Sequence, residues 1–385
     1  MLHDIIVVGA GPVGSTLALA IAGSGLDVVV LDARAEGETL RGDRSLALSH
    51  GARLILERLS VWGSLCAIPG AATPITRIDI SQAGGFGATE LSADEQGVPA
   101  LGYVVSYLAL QTALDAALAR SGVELRHGMA VASVGGTPAF AAVALADAET
   151  EPLLGRLAAI ADGTGASVSG VQRRRHDYGQ VAIVAKVWSA IPHGGLAYER
   201  FSPEGPMALL PEGDHYGLVW TATPDRAEAL QALDDASFLA ELARRFGARA
   251  GGFTRVGERR AFALAMEIAP VPVGTRCVAI GNAAQTLHPV AGQGFNVGLR
   301  DAWELGAIIL DSPFDTLGDR EMLDRYRNAR RTDRIAGIAF THGLVSVFGN
   351  DLPFVRWPRG LALTLLDAVP VAKRAFTRAM LFGLH

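Results

Sequence analysis

Residues 5–8, Ile-Ile-Val-Val, form a continuous β-branched run, and Gly9, Gly11 and Gly14 follow it in G-x-G-x-x-G spacing. Such a run reads as a strand buried on both faces. The next stretch, STLALAIAGSG, reads as a helix closed by Gly23 or Gly25, and DVVVLD as a second buried strand ending in Asp32. Strand, glycine turn, helix, strand and acid in this order predict the βαβ unit of a parallel α/β sheet. In that unit Gly9 permits the tight turn. Gly11 lets backbone N–H groups approach a pyrophosphate at the positive end of the helix, and Gly14 lets helix and strand pack closely. Asp32 is placed to accept hydrogen bonds from an adenosine ribose. The unit predicts dinucleotide binding without choosing between NAD and FAD.

The chain has 385 residues, which suits about two domains. Its net charge of −5 argues against a nucleic-acid partner, because phosphate binding wants a basic surface. Cys66 and Cys277 stand alone, without metal-ligand or disulfide spacing, so no metal site is expected and a reducing cytoplasm fits. No signal peptide is visible, and no apolar run reaches the roughly 18–20 residues of a membrane span.

A second strand–loop–helix lies far downstream. CVAI reads as a strand, Gly281-Asn282 as its end, Pro289 to Gly294 as a turn, and a helix starts near Phe295. A dinucleotide has one pyrophosphate, already assigned to Gly11. A second positive helix end suits the anionic pyrimidine edge of a reduced flavin, which favours FAD. A nicotinamide-dependent dehydrogenase would use the first loop and have no need of the second.

The stretch GNAAQTLHPVAGQGFNVGLRD (281–301) resembles a motif of the flavin-dependent aromatic hydroxylases of the para-hydroxybenzoate hydroxylase type, and especially their ubiquinone-biosynthesis branch. The resemblance implies that Asn282, in the place of the usual acid, contacts the ribityl chain. It also implies that Pro289, Gly292 and Gly294 lie against the reacting ring, with His288 beside Pro289 a candidate flavin or substrate contact, and that Gly281, Gly294, Phe295 and Asn296 help hold FAD. Further pieces fall in the same order. GDRSLALSHGARLILERLSVWGSL (42–65) carries over Arg44 toward the FAD phosphates, and VVSYLALQTALDAAL (104–118) carries over Gln111 as a flavin contact. LAAIADGTGAS (157–167) supplies Asp162, and AYERFSPEGPMALLP (197–211) resembles a substrate-domain sheet. Two departures stand out: no Arg follows Asp162-Gly163 within 164–170, and Tyr107 sits where many relatives have Arg. Taken without the resemblance, His288 reads equally as a loop-shaping residue, Arg44 as a surface cation and Asp162 as a turn cap.

The implied fold is α/β. A Rossmann-type FAD-binding domain occurs in pieces (1–70, 101–175, 266–325), interleaved with a mainly β substrate domain (71–100, 176–265) and followed by a helical segment (326–385). Candidate strands in the second domain are TRIDIS, VAIVAKV and HYGLVWTA. The implied activity is O₂-dependent hydroxylation of a prenylated methoxyphenol through a flavin C4a-hydroperoxide, with NAD(P)H as electron donor. The other readings are another flavin-dependent aromatic hydroxylase and a non-catalytic FAD-binding member of a biosynthetic complex. Residues 351–385 carry five basic residues against two acids and are rich in Leu, Phe, Trp and Met. Such a segment suits peripheral contact with an anionic membrane surface or a partner's groove, or packs its apolar side on the flavin domain.

Overall fold

The computed structural model describes residues 1–38, 43–163, 166–288, 292–348 and 353–384. Four parallel strands form the centre of the first sheet. Leu2–Val8 pairs with Val28–Leu31 on one side and Leu153–Ile160 on the other, and Leu153–Ile160 pairs in turn with Cys277–Ala279. The β-branched runs Ile5–Val8 and Val28–Leu31 are buried, as strands covered on both faces require. Because these strands are parallel, the segments at Gly9, Ala161–Gly163 and Gly281 leave their carboxyl ends side by side. Ligands of open α/β sheets bind at such an edge.

Helix Pro12–Ile21 follows the first glycine turn and packs against helix Gln293–Leu310. The second helix starts two residues before the expected Phe295. Gly292 caps it in the left-handed region at φ 59°, where a Cβ would lie 2.9 Å from Ala47 Cβ, so the turn closes tightly there.

A second sheet contains the three strands expected from TRIDIS, VAIVAKV and HYGLVWTA, as Arg77–Gln82, Arg174–Ser189 and His215–Ala222. Helices Pro224–Ala232 and Asp235–Phe246 cover one of its faces through Leu230, Phe238, Leu242 and Phe246. A small sheet of Ser45–Ser49, Gly102–Ser106 and Ala72–Ile75 completes the β structure.

Three helices close the chain, Arg320–Phe348, Pro353–Ala368 and Pro370–Phe382. The last two are bound into the body of the molecule. Leu363 and Leu381 share a buried cluster with Ile80, Leu91 and Phe201. Lys373 Nζ lies 3.2 Å from both Glu95 Oε1 and Asp367 Oδ1, and Thr89 Oγ1 donates to Asp367 Oδ1 at 3.0 Å. One apolar side of the C-terminal segment, carrying Leu363 and Leu381, therefore packs on the protein.

Candidate active site

A groove of about 500 Å³ runs along the carboxyl edge of the first sheet, lined by Gly9–Val13, Asp32, Arg34, Asp162, Gly281 and Gly298 among others. It meets a second cavity of about 490 Å³, and Arg44, Asn282, Gly294 and Phe295 line both. The second cavity is a chamber walled mostly by aliphatic and aromatic side chains. They come from the inner face of the second sheet (Ile80, Phe201, Leu210), from the loop at His288 and from the C-terminal helices (Leu363, Phe376).

The first helix has no side-chain cap at Gly11, so its positive end faces the groove bare. Asp162 Oδ2 accepts the Ala166 N–H at 2.6 Å, while Asp162 Oδ1 is buried and without a partner among the described residues. A buried carboxylate oxygen left in this state calls for a donor from a ligand. Both features fit FAD: N–H groups for its pyrophosphate, and a polar acceptor at the sheet edge for its hydroxyls.

The remaining expected residues fall into distinct groups. Asn282 is exposed and lines both cavities, open to a ribityl chain. Arg44 stacks its guanidinium over the Tyr107 ring, 4.4 Å from the centroid, so Tyr107 positions the cation that its place in the sequence lacks. Asp32 lines the groove, and its carboxylate also accepts the backbone N–H of Arg34 and, at 2.7 Å, Arg34 Nη2. Gln111 is fully buried: its amide donates to Ala10 O at 2.8 Å and to Asp115 Oδ1 at 2.7 Å, behind the first glycine turn. The Asn296 side chain is committed to the protein, donating to Ala47 O and Gly292 O and accepting from Ser49 N–H, which ties the strand Ser45–Ser49 to the second helix. Pro289 lies outside the described residues.

His288 is buried in the chamber wall, edge-on to the Tyr178 ring at 5.3 Å. Burial pushes its imidazole down to about 4, so it is neutral at pH 7. The consequence for stability has a definite sign. Above pH 6.5 folded and unfolded chains both carry neutral His288. Between 6.5 and 4 the unfolded chain takes up a proton that the folded chain refuses, so stability falls as the pH falls, by up to about 3 kcal/mol from this group. Urea midpoints at pH 7 and pH 4.5 should drop less for His288→Met than for the parent. Equal drops would show that His288 does not titrate as a buried neutral group.

Two clusters had no signal in the sequence. The Ser45 hydroxyl lines the chamber and donates to Glu212 Oε2. His215 Nε2 stands 3.5 Å from the same oxygen, and His215 Nδ1 stands 3.0 Å from Asp214 Oδ1 at the surface. Glu212 raises the proton affinity of His215. Burial works against the ionised form of Glu212, but His215, Ser45 and the Lys186 charge outweigh it and hold the carboxyl below its ordinary range. Polar groups thus run from the chamber to solvent. The second cluster sits behind the flavin loop: Asp301 accepts from Arg330 Nε at 2.8 Å, from Gln285 Nε2 at 2.6 Å and from the Gly281 N–H at 3.3 Å.

A dinucleotide groove opening into an apolar chamber walled by the second sheet and the C-terminal helices fits a flavoprotein that acts on an apolar substrate. The chain belongs to the FAD binding domain family, whose model matches residues 3–338. It is 33% identical to ubiquinone hydroxylase UbiL of Rhodospirillum rubrum, over 97% of this chain and 88% of that protein. It is 30% identical to the 3-demethoxyubiquinol 3-hydroxylase of Escherichia coli, over 96% of each. Among solved structures, p-nitrophenol 4-monooxygenase PnpA of Pseudomonas putida superposes with a TM-score of 0.79 at 16% identity, covering 100% of this chain and 99% of that one, a likeness of fold. The chain is an FAD-dependent monooxygenase, as the two glycine loops and the resemblance implied.

Proposed function

We propose that this chain hydroxylates a prenylated methoxyphenol in ubiquinone biosynthesis, using O₂, FAD and electrons from NAD(P)H. The observation that carries the proposal is the apolar chamber sharing Arg44, Asn282, Gly294 and Phe295 with the cofactor groove. An apolar chamber accepts a ring and a hydrocarbon tail, and those shared residues bring the ring to the flavin edge. The names of the relatives in ubiquinone synthesis support the substrate class.

When bound and reduced, FAD supplies the activation of O₂. The residues of the chain do the rest. The aliphatic walls exclude water from the reacting ring. Neutral His288 presents an uncharged imidazole to the chamber. The Ser45 hydroxyl, donating to Glu212, offers an acceptor for a phenolic proton, with His215 and Asp214 leading outward. Arrival of a lipid-borne substrate also requires contact with a membrane or with a partner that carries the lipid.

Quinone extracts of a deletion strain test the proposal. Under air, a precursor lacking one ring oxygen should accumulate. Restoring the gene under ¹⁸O₂ should place labelled oxygen in ubiquinone, while Gly294→Leu should restore little. A Cβ at Gly294 meets only Leu287 at 3.7 Å, an ordinary contact, so the variant should fold while its longer side chain enters the space shared by both cavities. Normal ubiquinone in the deletion strain, or full rescue by Gly294→Leu, would overturn the assignment.

A further inference from the structure

We infer that the outer face of the last two helices is a docking surface for an anionic lipid bilayer, placed so that a hydrocarbon tail passes from the bilayer into the chamber. Trp357, Leu361 and Leu365 recur every four residues along Pro353–Ala368 and so share one face, and all three are exposed, Trp357 by 70%. Val369 and Val371, also exposed, carry apolar surface around the corner into the final helix. Phe86, itself exposed, packs its ring 5.1 Å from Trp357 and widens the patch. Isolated exposed apolar residues need no explanation, but a contiguous set on a helix face marks an interaction site.

Charge selects the occupant. Arg374 and Arg378 follow Val371 at helical spacing, are exposed, and enter no ion pair among the described residues. The nearby acids Glu95 and Asp367 are already paired with Lys373. Apolar side chains flanked by unpaired arginines match a bilayer carrying anionic headgroups. No helix among the described residues is long and apolar enough to cross that bilayer, so the contact is peripheral.

The chamber ties this surface to the chemistry. Arg359, Leu363 and Leu366 of the same helix line it from inside. Ala362 lines it too and is exposed, one residue from Leu361, so the chamber rim reaches the surface at the apolar stripe. One helix therefore turns one side to the chamber and the other to the exterior. The purpose of this surface rests on the prenylated-substrate reading, but its existence does not.

The test is flotation of the full-length, FAD-loaded protein with vesicles of phosphatidylcholine, with and without phosphatidylglycerol. The parent should float with the anionic vesicles. Arg374→Gln/Arg378→Gln should weaken binding about fivefold per arginine, and Leu361→Gln/Leu365→Gln at least about tenfold. Both variants should turn over a short-tailed, water-soluble methoxyphenol at the parental rate, because neither pair lines the chamber. Unchanged flotation of the variants overturns the inference. So does a parent that ignores vesicles and dimerises through Leu361 and Leu365, which would make a second copy the occupant. A parent that floats as expected but hydroxylates no methoxyphenol upholds the surface and refutes the substrate reading instead.

Discussion

Gly11→Val should fold normally and fail to bind FAD. A Cβ built on Gly11 meets no heavy atom within 4 Å, and the φ of −65° at Gly11 suits any L-residue. The apoprotein therefore loses nothing when a side chain is added, and its stability should stay within about 0.5 kcal/mol of the parent. The added isopropyl group projects into the groove where the pyrophosphate must approach the bare helix end. Affinity for FAD should fall at least about a hundredfold, roughly 2.7 kcal/mol. The neighbouring glycines should behave oppositely. A Cβ at Gly14 would lie 1.9 Å from Gly9 O, and Gly9 has φ +97° with its own Cβ 2.8 Å from Asp162 Cα. Alanine at either position disrupts the turn itself, so the protein is destabilised before any ligand arrives. Thermal melts of the apoproteins and fluorescence titration with FAD separate the two outcomes. A folded Gly11→Val protein that saturates with FAD at the parental concentration would place the pyrophosphate elsewhere.

Asp301→Ala should cost about 3–5 kcal/mol of stability, the range for removing one partner of a buried ion pair. Asp301 is wholly inaccessible, and Arg330, its partner, is 1% exposed. Arg330 keeps Asp333 at 2.6 Å, and Asp333 also serves Arg300 at 2.8 Å, so two cations would then share one carboxylate. The effect reaches the cofactor, because Asp301 also accepts the Gly281 N–H and anchors Gln285 beneath the flavin loop. Urea unfolding should show a lowered midpoint with an unchanged slope, and the remaining folded protein should bind FAD more weakly. The surface pair Arg325–Asp311, at 3.3 Å and mostly solvent-exposed, supplies the contrast: Arg325→Ala should cost less than about 1 kcal/mol. A loss at Asp301→Ala no larger than that would mean the network is not under electrostatic load.

What the sequence determined by itself was local. Gly9 permits the tight turn and the β-branched runs need burial on both faces, whereas the left-handed cap at Gly292, ahead of the expected helix start, was decided by the structure. Each demand is satisfied within a few residues, so spacing alone exposed both glycine loops and the parallel sheet between them. The resemblance then drew attention to Asp162 and Asn282, which line the groove. Only the tertiary structure decided the rest. Ser45 meets Glu212 across 167 positions, and Asn296 meets Ser49 across 247. No periodicity records such a pairing, because each partner alone is an ordinary polar residue in a loop or strand. The C-terminal helices show the same limit: their composition reads as apolar and basic on any account. Which side faces Leu91 and Phe201 and which side faces outward depends on the surface against which they pack, and that surface is made by residues more than a hundred positions away.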